Sequence, residues 1–394
     1  MIRGKFRLWH AAAIVVVLLL VLTGCTGNAA ALTGSSWPGI AASENLIYMA
    51  FGPHVYAIDP SNGKEEWRYP AQAARNETFY APPAVDHDLV VIGDYTGILY
   101  GLDAEKGTQT WKFGTPLKAR IIAGAVIGEK YVYAGTVAGV LYAVDRENGT
   151  EAWHYATTRD IWSAPLLADG VLYFTTLDRH LYALNADTGK LLWQFPDANM
   201  KPEDSPVGAM AGTPTLHDGV LYFGSFNNAA YALDLETRKL LWTYPTQNWV
   251  WGSPVFDEET GQLYGGDLDG NVFALDPATG KEIWKVTTAG PVVNSPVVAE
   301  YDRQPAVFVT SGDSNLYILN PENGEQIQKV GVTAEFKQSF LFVPTGTTVR
   351  PVPLYAQPVI LGDKILLGTH EGPAPLIAYD NANLKQVWAF TPTP

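Results

Sequence analysis

The sequence predicts an all-β protein, an eight-bladed β-propeller of four-stranded antiparallel blades. Three observations predict it. One short pattern recurs along the chain, its two marker residues keep a constant spacing, and complete units repeat about every 42 residues. The chain has 394 residues, of which 47% are hydrophobic and 17% charged, enough for a large buried core.

The recurring pattern reads LYALNADTGKLLW at 181–193 and has a first and a second marker eight residues apart. The first markers are Asp59, Asp103, Asp145, Asn185, Asp234, Asp276, Asn320 and Asp380. The second markers are Trp67, Trp111, Trp153, Trp193, Trp242, Trp284, Gln328 and Trp388. A spacing kept eight times, with one tryptophan lost, indicates a structural repeat.

Each copy of the pattern predicts a β-hairpin. The residues before the first marker alternate, as in LYAV at 141–144, which is typical of a strand with two buried faces. Two residues before the marker a small residue is usual, and we expect it to let a neighbouring sheet approach. Four residues after the marker six copies have glycine, which supplies the positive φ of a turn, whereas two copies have Arg238 and Leu384.

A second strand pair precedes each hairpin, as in APLLADGVLYFTTL at 164–177, so each unit has four strands, A to D, with the tryptophan on D. Units of this length and composition are propeller blades. Because one blade cannot bury both of its faces, the ring must close as a whole. The Gly-His and Trp-Asp signatures of WD40 repeats and the double glycine of kelch repeats do not recur here.

The N-terminus indicates export. Residues 1–24 are interpreted as a signal peptide, with a basic start and an apolar run, Ala11 to Leu22, that is short for a membrane span. Cys25, the only cysteine, follows in a Leu-Thr-Gly-Cys setting that resembles the lipobox of bacterial lipoproteins. The resemblance implies cleavage before Cys25 and its lipidation. We therefore predict a signal peptide at 1–24, a lipidated tether at 25–36 and the propeller at 37–394.

The net charge of −14 disfavours nucleic acid and anionic membrane surfaces as partners. We predict a monomer in the cell envelope that faces the periplasm or the cell exterior. The sequence leaves open whether the host has one membrane or two.

The hairpin pattern resembles the PQQ-like propeller repeat, whose Ala-x-Asp-x-x-x-Gly-x-x-x-Trp motif appears as AVDRENGTEAW at 143–153. In that family the tryptophan docks between adjacent blades, which implies a structural role for all seven repeat tryptophans. The family includes quinoprotein dehydrogenases and also cofactor-free lipoproteins of the BamB type, which are scaffolds in outer-membrane protein assembly.

The residues favour a scaffold or binding module over an enzyme. Many quinoprotein alcohol dehydrogenases use adjacent cysteines and a Glu, Asn and Asp set for Ca²⁺, and neither can be assigned here. GGDLDGN at 265–271, with Asp267 and Asp269, looks like a Ca²⁺ loop but falls at a B–C turn, so we interpret it as a polar hairpin turn. We predict no catalytic residues, cofactor or metal, and envelope proteins as partners. The alternatives are a PQQ-dependent dehydrogenase or a surface sensor for carbohydrate or peptide.

One candidate interaction region is the long connection before the last blade, at 331–356. Loops of this length often carry recognition, and Phe336, Phe340, Leu341 and Phe342 are more apolar than a solvated loop requires. It is expected to be either a flap packed on its own propeller or a partner-binding loop.

The other candidate is a funnel at one mouth of the channel. Three residues before the proline that opens strand A (Ala125 in blade three), the even-numbered blades have Tyr80, Trp162, Trp251 and Tyr355, whereas the odd-numbered blades have Ser35, Ile122, Ala211 and Val293. We expect the four rings to face one another, with these polar residues nearby: Arg120, Arg159, Asp160, Asn248 and Asn294. Such a funnel suits a sugar or an extended peptide; alternatively the rings only plug the channel.

Overall fold

Eight four-stranded antiparallel sheets and one two-stranded sheet form the computed structural model, which describes residues 39–73, 77–201, 204–340, 343–369 and 372–393. The propeller lies in a unit that spans Trp37–Pro394, and a separate unit spans Met1–Ser36. The predicted signal peptide, Cys25 and the tether lie outside the described residues. Nowhere in the described ranges is there a helix of the length and apolarity needed to cross a membrane.

Each four-stranded sheet is one blade built from consecutive strands, as the sequence predicts. Blades one to four contain β1 (Gly39–Ala42), β2 (Ile47–Phe51), β3 (His54–Ile58) and β4 (Glu65–Tyr69); β5 (Ala84–Asp86), β6 (Leu89–Gly93), β7 (Ile98–Asp103) and β8 (Gln109–Gly114); β9 (Val126–Ile127), β10 (Tyr131–Gly135), β11 (Val140–Asp145) and β12 (Glu151–Ala156); and β13 (Leu166–Ala168), β14 (Val171–Thr175), β15 (Leu181–Asn185) and β16 (Leu191–Phe195).

Blades five to eight repeat this order. They contain β17 (Thr215–His217), β18 (Val220–Ser225), β19 (Ala229–Asp234) and β20 (Leu240–Pro245); β21 (Val255–Asp257), β22 (Gln262–Gly266), β23 (Asn271–Leu275) and β24 (Glu282–Thr287); β25 (Val297–Tyr301), β26 (Gln304–Ser311), β27 (Asn315–Leu319) and β28 (Gln326–Gly331); and β31 (Val359–Leu361), β32 (Lys364–Gly368), β33 (Leu376–Asp380) and β34 (Gln386–Phe390). The two-stranded sheet is β29 (Thr333–Phe340) with β30 (Val343–Pro351), between blades seven and eight.

The C–D turns take the conformation that the recurring pattern predicts. In blade one the backbone N–H of Ser61 donates to the Asp59 carboxylate at 2.7 Å, and the N–H of Gly63 donates to the Asp59 carbonyl at 2.9 Å. Gly63 has φ +71°. Arg238 and Leu384, which replace this glycine in blades five and eight, keep a positive φ of 57° and 58°, so the turn geometry is retained despite the strain of a side chain there.

The repeat tryptophans lie in the seams between blades. Each of six indoles donates its Nε1–H to the carbonyl of the residue after the first marker of the next blade, at 2.7–3.1 Å: Trp67 to Ala104, Trp111 to Arg146, Trp153 to Ala186, Trp242 to Pro277, Trp284 to Pro321 and Trp388 to Pro60. The turn glycine of that next blade lies against the ring. A Cβ at Gly107 would lie 2.4 Å from the Trp67 ring, so glycine is needed for close approach as well as for φ.

The small residue two before the first marker has a different role from the expected one. It lies directly opposite the tryptophan of its own blade, as in the pairs Ala57–Trp67 and Gly101–Trp111. A Cβ at Gly101 would lie 2.2 Å from the Trp111 ring, so in this blade the space is occupied by its own indole rather than by a neighbouring sheet. In blade seven, which lost its tryptophan, the large Ile318 stands opposite Gln328.

The ring closes through the last tryptophan. The Trp388 Nε1–H donates to the Pro60 carbonyl at 3.0 Å. A Cβ added at Gly63 would lie 2.6 Å from the Trp388 indole ring, so the indole packs directly on this glycine. Trp388 belongs to a buried apolar cluster shared by blades one and eight, with Met49, Tyr56 and Leu366. Blades one and eight are each built from contiguous strands, so the closing seam has the same construction as the internal seams.

Candidate functional site

The D-to-A connections and the B–C turns meet at one end of the propeller, here called the mouth. The N–H of Ile161, which leads into blade four, donates to the carbonyl of Thr136 in blade three at 3.1 Å, and the N–H of Leu177 donates to the Asp160 carbonyl at 3.0 Å. Blades five and six repeat this pairing, with Val250 to Ser225 at 3.2 Å and Leu268 to Trp249 at 3.1 Å. The mouth is therefore a rigid surface whose connections are tied to the turns by main-chain bonds.

Four aromatic rings form a continuous row at the mouth, here called the tryptophan row: Trp162, Trp251, Phe226 and Trp249. The ring centroids of Trp162 and Trp251 lie 5.8 Å apart, those of Trp251 and Phe226 5.1 Å, and those of Phe226 and Trp249 4.6 Å. All four side chains are half-buried. Blade five has the small Ala211 at the equivalent position, which leaves room for tryptophans from blades four and six to touch.

Fixed polar side chains flank the tryptophan row. The Trp162 Nε1–H donates to an Asp160 carboxylate oxygen at 3.3 Å. At the other end Asn248 donates to Asp269 at 2.7 Å and accepts the backbone N–H of Trp249 at 2.8 Å. Arg159, next to Asp160, is exposed. The row therefore combines apolar ring faces with oriented hydrogen-bonding groups.

The other predicted aromatic positions have different neighbours. Tyr80 lies 5.5 Å from Tyr95 and 6.1 Å from Phe51, and the Arg120 guanidinium lies 5.7 Å from the Tyr95 ring. Burial raises the pKa of Tyr80. Tyr355 lies beside Gly312, where an added Cβ would be 3.0 Å from its ring.

The structure thus brings Trp162 and Trp251 into direct contact, whereas Tyr80 and Tyr355 each pack with other residues. Asn294 is half-buried, and its Nδ2 has no hydrogen-bond partner within the described parts of the chain. Phe226 and Trp249 were missed by the sequence reasoning. Trp249 stands two residues before Trp251, so alternation along the D-to-A connection would have found it. Phe226 is an aromatic residue in a B–C turn, and that alternation would not have found it.

A buried carboxylate supports the mouth in blade four. Asp178 accepts hydrogen bonds from Thr176, from Thr158 at 2.7 Å and from the Tyr182 hydroxyl at 3.0 Å, and His180 Nδ1 lies 3.2 Å away. Burial would raise the pKa of Asp178, but the hydrogen bonds from His180, Thr176 and Thr158, together with the charge of His180, hold it well below its usual range. The hydrogen bond with Asp178 raises the pKa of His180.

The acidic turn at 265–271 lies between β22 and β23, where the sequence places it. Asp267 is buried and accepts from the backbone N–H of Asn271 at 3.0 Å and from its side-chain amide at 2.8 Å. Asp269 accepts from Asn248. The carboxylates thus hold the turn and the neighbouring connection in place. Over the described residues no three or more His, Cys, Asp or Glu side chains converge in a possible metal site.

Comparison with known proteins identifies a family. A family model described as "Outer membrane protein assembly factor BamB" matches residues 8–123, 113–211 and 198–391. Among curated proteins, "Serine/threonine-protein kinase AfsK" of Streptomyces griseus is 32% identical over 97 residues, which is 24% of this chain; the match spans only 12% of the kinase.

Several solved structures share the fold. BamB from Moraxella catarrhalis aligns with a TM-score of 0.65 and 20% identity, covering 86% of this chain and 92% of that one. The computationally designed Ika8 protein gives 0.69 and 13%, over 89% and 98%. The quinohemoprotein alcohol dehydrogenase ADHIIG from Pseudomonas putida HK5 gives 0.65 and 16%, over 90% and 75%. At these identities the likenesses establish the propeller fold and no activity.

Proposed function

The chain belongs to the PQQ-like β-propeller repeat family whose model is described as outer membrane protein assembly factor BamB, and on that premise we propose that it is a non-catalytic scaffold of the cell envelope that binds other proteins. The observation that carries the proposal is the β29–β30 hairpin. The sequence predicts a loop between blades seven and eight. The structure instead has two long strands that pair only with each other among the described strands.

The base of the hairpin is part of the propeller core. Val332, Val352 and Leu354 are buried, the Val332 N–H donates to the Ser314 carbonyl at 2.8 Å, and the Val352 N–H donates to the Val332 carbonyl at 3.0 Å. Further out, the Arg350 guanidinium lies 3.8 Å from the Phe336 ring. The ribbon is therefore held firmly where it leaves blade seven and enters blade eight.

The described side chains of β30 next to the base are exposed. The side chains at 347–350 are exposed, with Val349 63% exposed, and Leu341 and Phe342 lie outside the described residues. Eight paired residues make a ribbon of about 27 Å, and a two-stranded hairpin of this kind is marginally stable in water unless another element covers it. A partner that adds a strand to its edge would supply main-chain hydrogen bonds.

Site-specific photo-crosslinking in the native host tests this role. A photoreactive residue replaces Val349 on the hairpin, or Leu192 on β16, another exposed position (47% exposed) on the rim. We expect a discrete adduct with one envelope protein from position 349 and none from position 192. The adduct should persist with Thr347→Val and disappear with Thr347→Pro, which removes a backbone N–H. Equal crosslinking from both positions would contradict the scaffold role.

The absence of catalysis is tested by reconstitution. The full chain is incubated with PQQ and Ca²⁺ and assayed for dye-linked oxidation of alcohols and sugars. We expect no turnover above that of heat-denatured protein, because no adjacent cysteines or Ca²⁺ set can be assigned. Turnover would instead support the quinoprotein dehydrogenase alternative.

The envelope location rests on the predicted lipid anchor. Lipidation of Cys25 with several acyl chains, at about 0.8 kcal/mol per buried methylene, would hold the protein stably on a membrane. Labelling with a palmitate analogue should mark the wild-type protein in the membrane fraction, whereas Cys25→Ser should be unlabelled and released. An unlabelled wild-type protein would exclude the anchor without affecting the hairpin test.

A further inference from the structure

The two ends of the propeller differ in charge. At the end opposite the mouth, here called the acidic end, the A–B turn of every blade has an exposed carboxylate: Glu44, Asp88, Glu129, Asp169, Asp218, Glu258, Asp302 and Asp363. These eight turns all lie within the described ranges, and the only exposed lysine and arginine side chains in them are those of Lys130 and Arg303. The acidic end therefore repels an anionic surface.

The mouth has a group of exposed cations on the side of blades three and four. They lie in the connections into these two blades and in the B–C turn of blade four, and are here called the basic arc: Lys118, Arg120, Arg159 and Arg179. Hydrogen bonds join the segments that hold them. The Val137 N–H donates to the Arg120 carbonyl at 3.0 Å, and Thr158, next to Arg159, donates its hydroxyl to Asp178, next to Arg179, at 2.7 Å. Only two carboxylates, Asp160 and Asp178, lie among the four cations within these described segments, so the arc keeps a net positive charge.

Exposed apolar side chains stand beside cations at the mouth. Leu117, 63% exposed, precedes Lys118, and Met200, 40% exposed, precedes the exposed Lys201; both pairs lie in D-to-A connections. Among the described residues, none of the exposed large apolar side chains lies in an A–B or C–D turn at the acidic end. An apolar side chain next to a lysine suits a membrane interface, because the apolar group enters the lipid while the ammonium stays among the headgroups.

The chain that precedes the propeller joins it at the mouth. β1 begins at Gly39, where an added Cβ would lie 2.5 Å from the carbonyl oxygen of Ala81 in the connection into blade two. From Cys25 to the residue before β1 there are 14 residues, 25–38. An unstructured chain of this length has a root-mean-square end-to-end distance of about 20 Å. A lipid on Cys25 would therefore keep the mouth, rather than the acidic end, close to the membrane.

We propose that the mouth docks on an anionic membrane surface, with the basic arc among the lipid headgroups and Leu117 and Met200 in the interface. The proposal rests on the lipid anchor of the proposed function for its location, but not for the contact itself. A net charge of −14 disfavours such a membrane when it is averaged over the whole chain. The field of the membrane decays over about 10 Å, however, so the acidic end, on the far side, opposes the contact little. The β29–β30 hairpin leaves the propeller at the same end, so its partner would be met at the membrane surface.

Cosedimentation with lipid vesicles tests the proposal on the full chain with Cys25→Ser, so that no lipid on the protein contributes. We expect binding at millimolar lipid to vesicles of phosphatidylglycerol and phosphatidylcholine in equal parts, and about tenfold weaker binding to phosphatidylcholine alone. Lys118→Gln/Arg120→Gln should weaken binding to the anionic vesicles about 30-fold, because each cation near such a surface contributes about fivefold. Lys130→Gln/Arg303→Gln at the acidic end is the matched control: it removes the same charge and should leave binding unchanged.

A fluorophore on a single thiol identifies the end that touches the lipid. Cys25 is the only cysteine, so the Cys25→Ser chain accepts one new thiol at a chosen position. A fluorophore on Leu117→Cys at the mouth should be quenched by brominated phospholipids in the anionic vesicles. The same fluorophore on Asp169→Cys at the acidic end should not be quenched.

Four results would overturn the proposal: no cosedimentation with the anionic vesicles, equal binding to both kinds of vesicle, equal loss in the two double variants, or quenching at position 169 as strong as at 117. A glutamate decapeptide that binds as tightly as the anionic vesicles would also overturn it and would assign the basic arc to an acidic protein segment. The melting temperature of each variant is measured alongside, so that lost binding is not mistaken for unfolding. The scaffold role fails or holds separately, since Thr347→Pro on the hairpin should leave vesicle binding unchanged.

Discussion

The seams between blades and the mouth use the same residue type in opposite ways. At the seams, a tryptophan such as Trp284 is buried, bonded through its indole nitrogen and matched to a glycine on the next blade. At the mouth, Trp162 and Trp251 are half-buried, come from non-adjacent blades and touch each other. A tryptophan that recurs with the blade period packs in a seam and stabilises the ring, whereas Trp162 and Trp251 break the period and pack with other aromatic rings at the mouth.

The largest expected effect is at the closing seam. Trp388→Ala removes a buried ring and its bond to Pro60, and a truncation of this kind costs about 3–5 kcal/mol. Trp162→Ala, on a half-buried ring at the mouth, should cost less than about 1.5 kcal/mol. Urea denaturation followed by far-ultraviolet circular dichroism measures both free energies of unfolding. Equal losses would erase the distinction between seam and mouth tryptophans.

The turn glycines give the next largest effect. Gly280 has φ +66°, and an added Cβ would lie 2.5 Å from the Trp242 ring, so Gly280→Ala should cost about 2–4 kcal/mol through strain and displacement of the indole.

Arg238→Gly is the matched reverse change. Arg238 takes the same conformation at φ +57°, with its guanidinium 5.9 Å from the Trp193 ring. Relief of backbone strain should roughly offset the lost cation–π contact, for a net change within about 1 kcal/mol. A large loss on Arg238→Gly would mean that this seam depends on the arginine rather than on the turn.

The sequence predicts the seams well because their signal is repeated. Marker spacing identifies strands C and D, the turn and the tryptophan, and the lost Trp of blade seven is visible as Gln328. The compensation there needed the structure. Ile318 faces Gln328 across the blade, a pairing that depends on the bulge in the C–D register. Leu384, which the sequence already places at the turn position of blade eight, packs against the same apolar cluster as Ile318.

The mouth was harder to predict because its residues are not repeated. The occurrence of aromatic residues on alternate blades marks Trp162 and Trp251 but gives no distance between them. It also groups them with Tyr80 and Tyr355, which pack with other residues. Phe226 joins the row from a B–C turn of blade five, a contact made in space and not by spacing in the chain. The length of the insertion predicts a loop at 331–356, whereas the β-branched residues in VPTGTTVRP at 343–351 favour the strand that the structure has there.

Restoring the missing tryptophan should give an intermediate effect. Gln328→Trp alone adds an indole where the side chains of Ile318 and Leu384 already fill the space. Overpacking of this kind lowers the free energy of unfolding by about 1–3 kcal/mol. Adding Ile318→Ala and Leu384→Gly supplies the small residue and the glycine that the other seams have. The triple variant should recover at least wild-type stability in urea denaturation. If the triple variant is less stable than the single one, the seams are not interchangeable units.

The smallest expected effect is the pH dependence of the mouth in blade four. The hydrogen bond with Asp178 raises the pKa of His180 above its usual 6.5, so the charged pair stabilises the fold below that pH and the stabilisation is lost as the pH rises through the raised value. The lowered pKa of Asp178 also stabilises the fold, but this stabilisation is fully present between pH 6 and 8 and is lost only in acid, so it adds no pH dependence in that window. His180→Gln keeps a donor near Asp178 without the charge. Its urea midpoint should therefore change less between pH 6 and 8 than that of the wild type, and an identical change in both proteins would show that the pair titrates elsewhere.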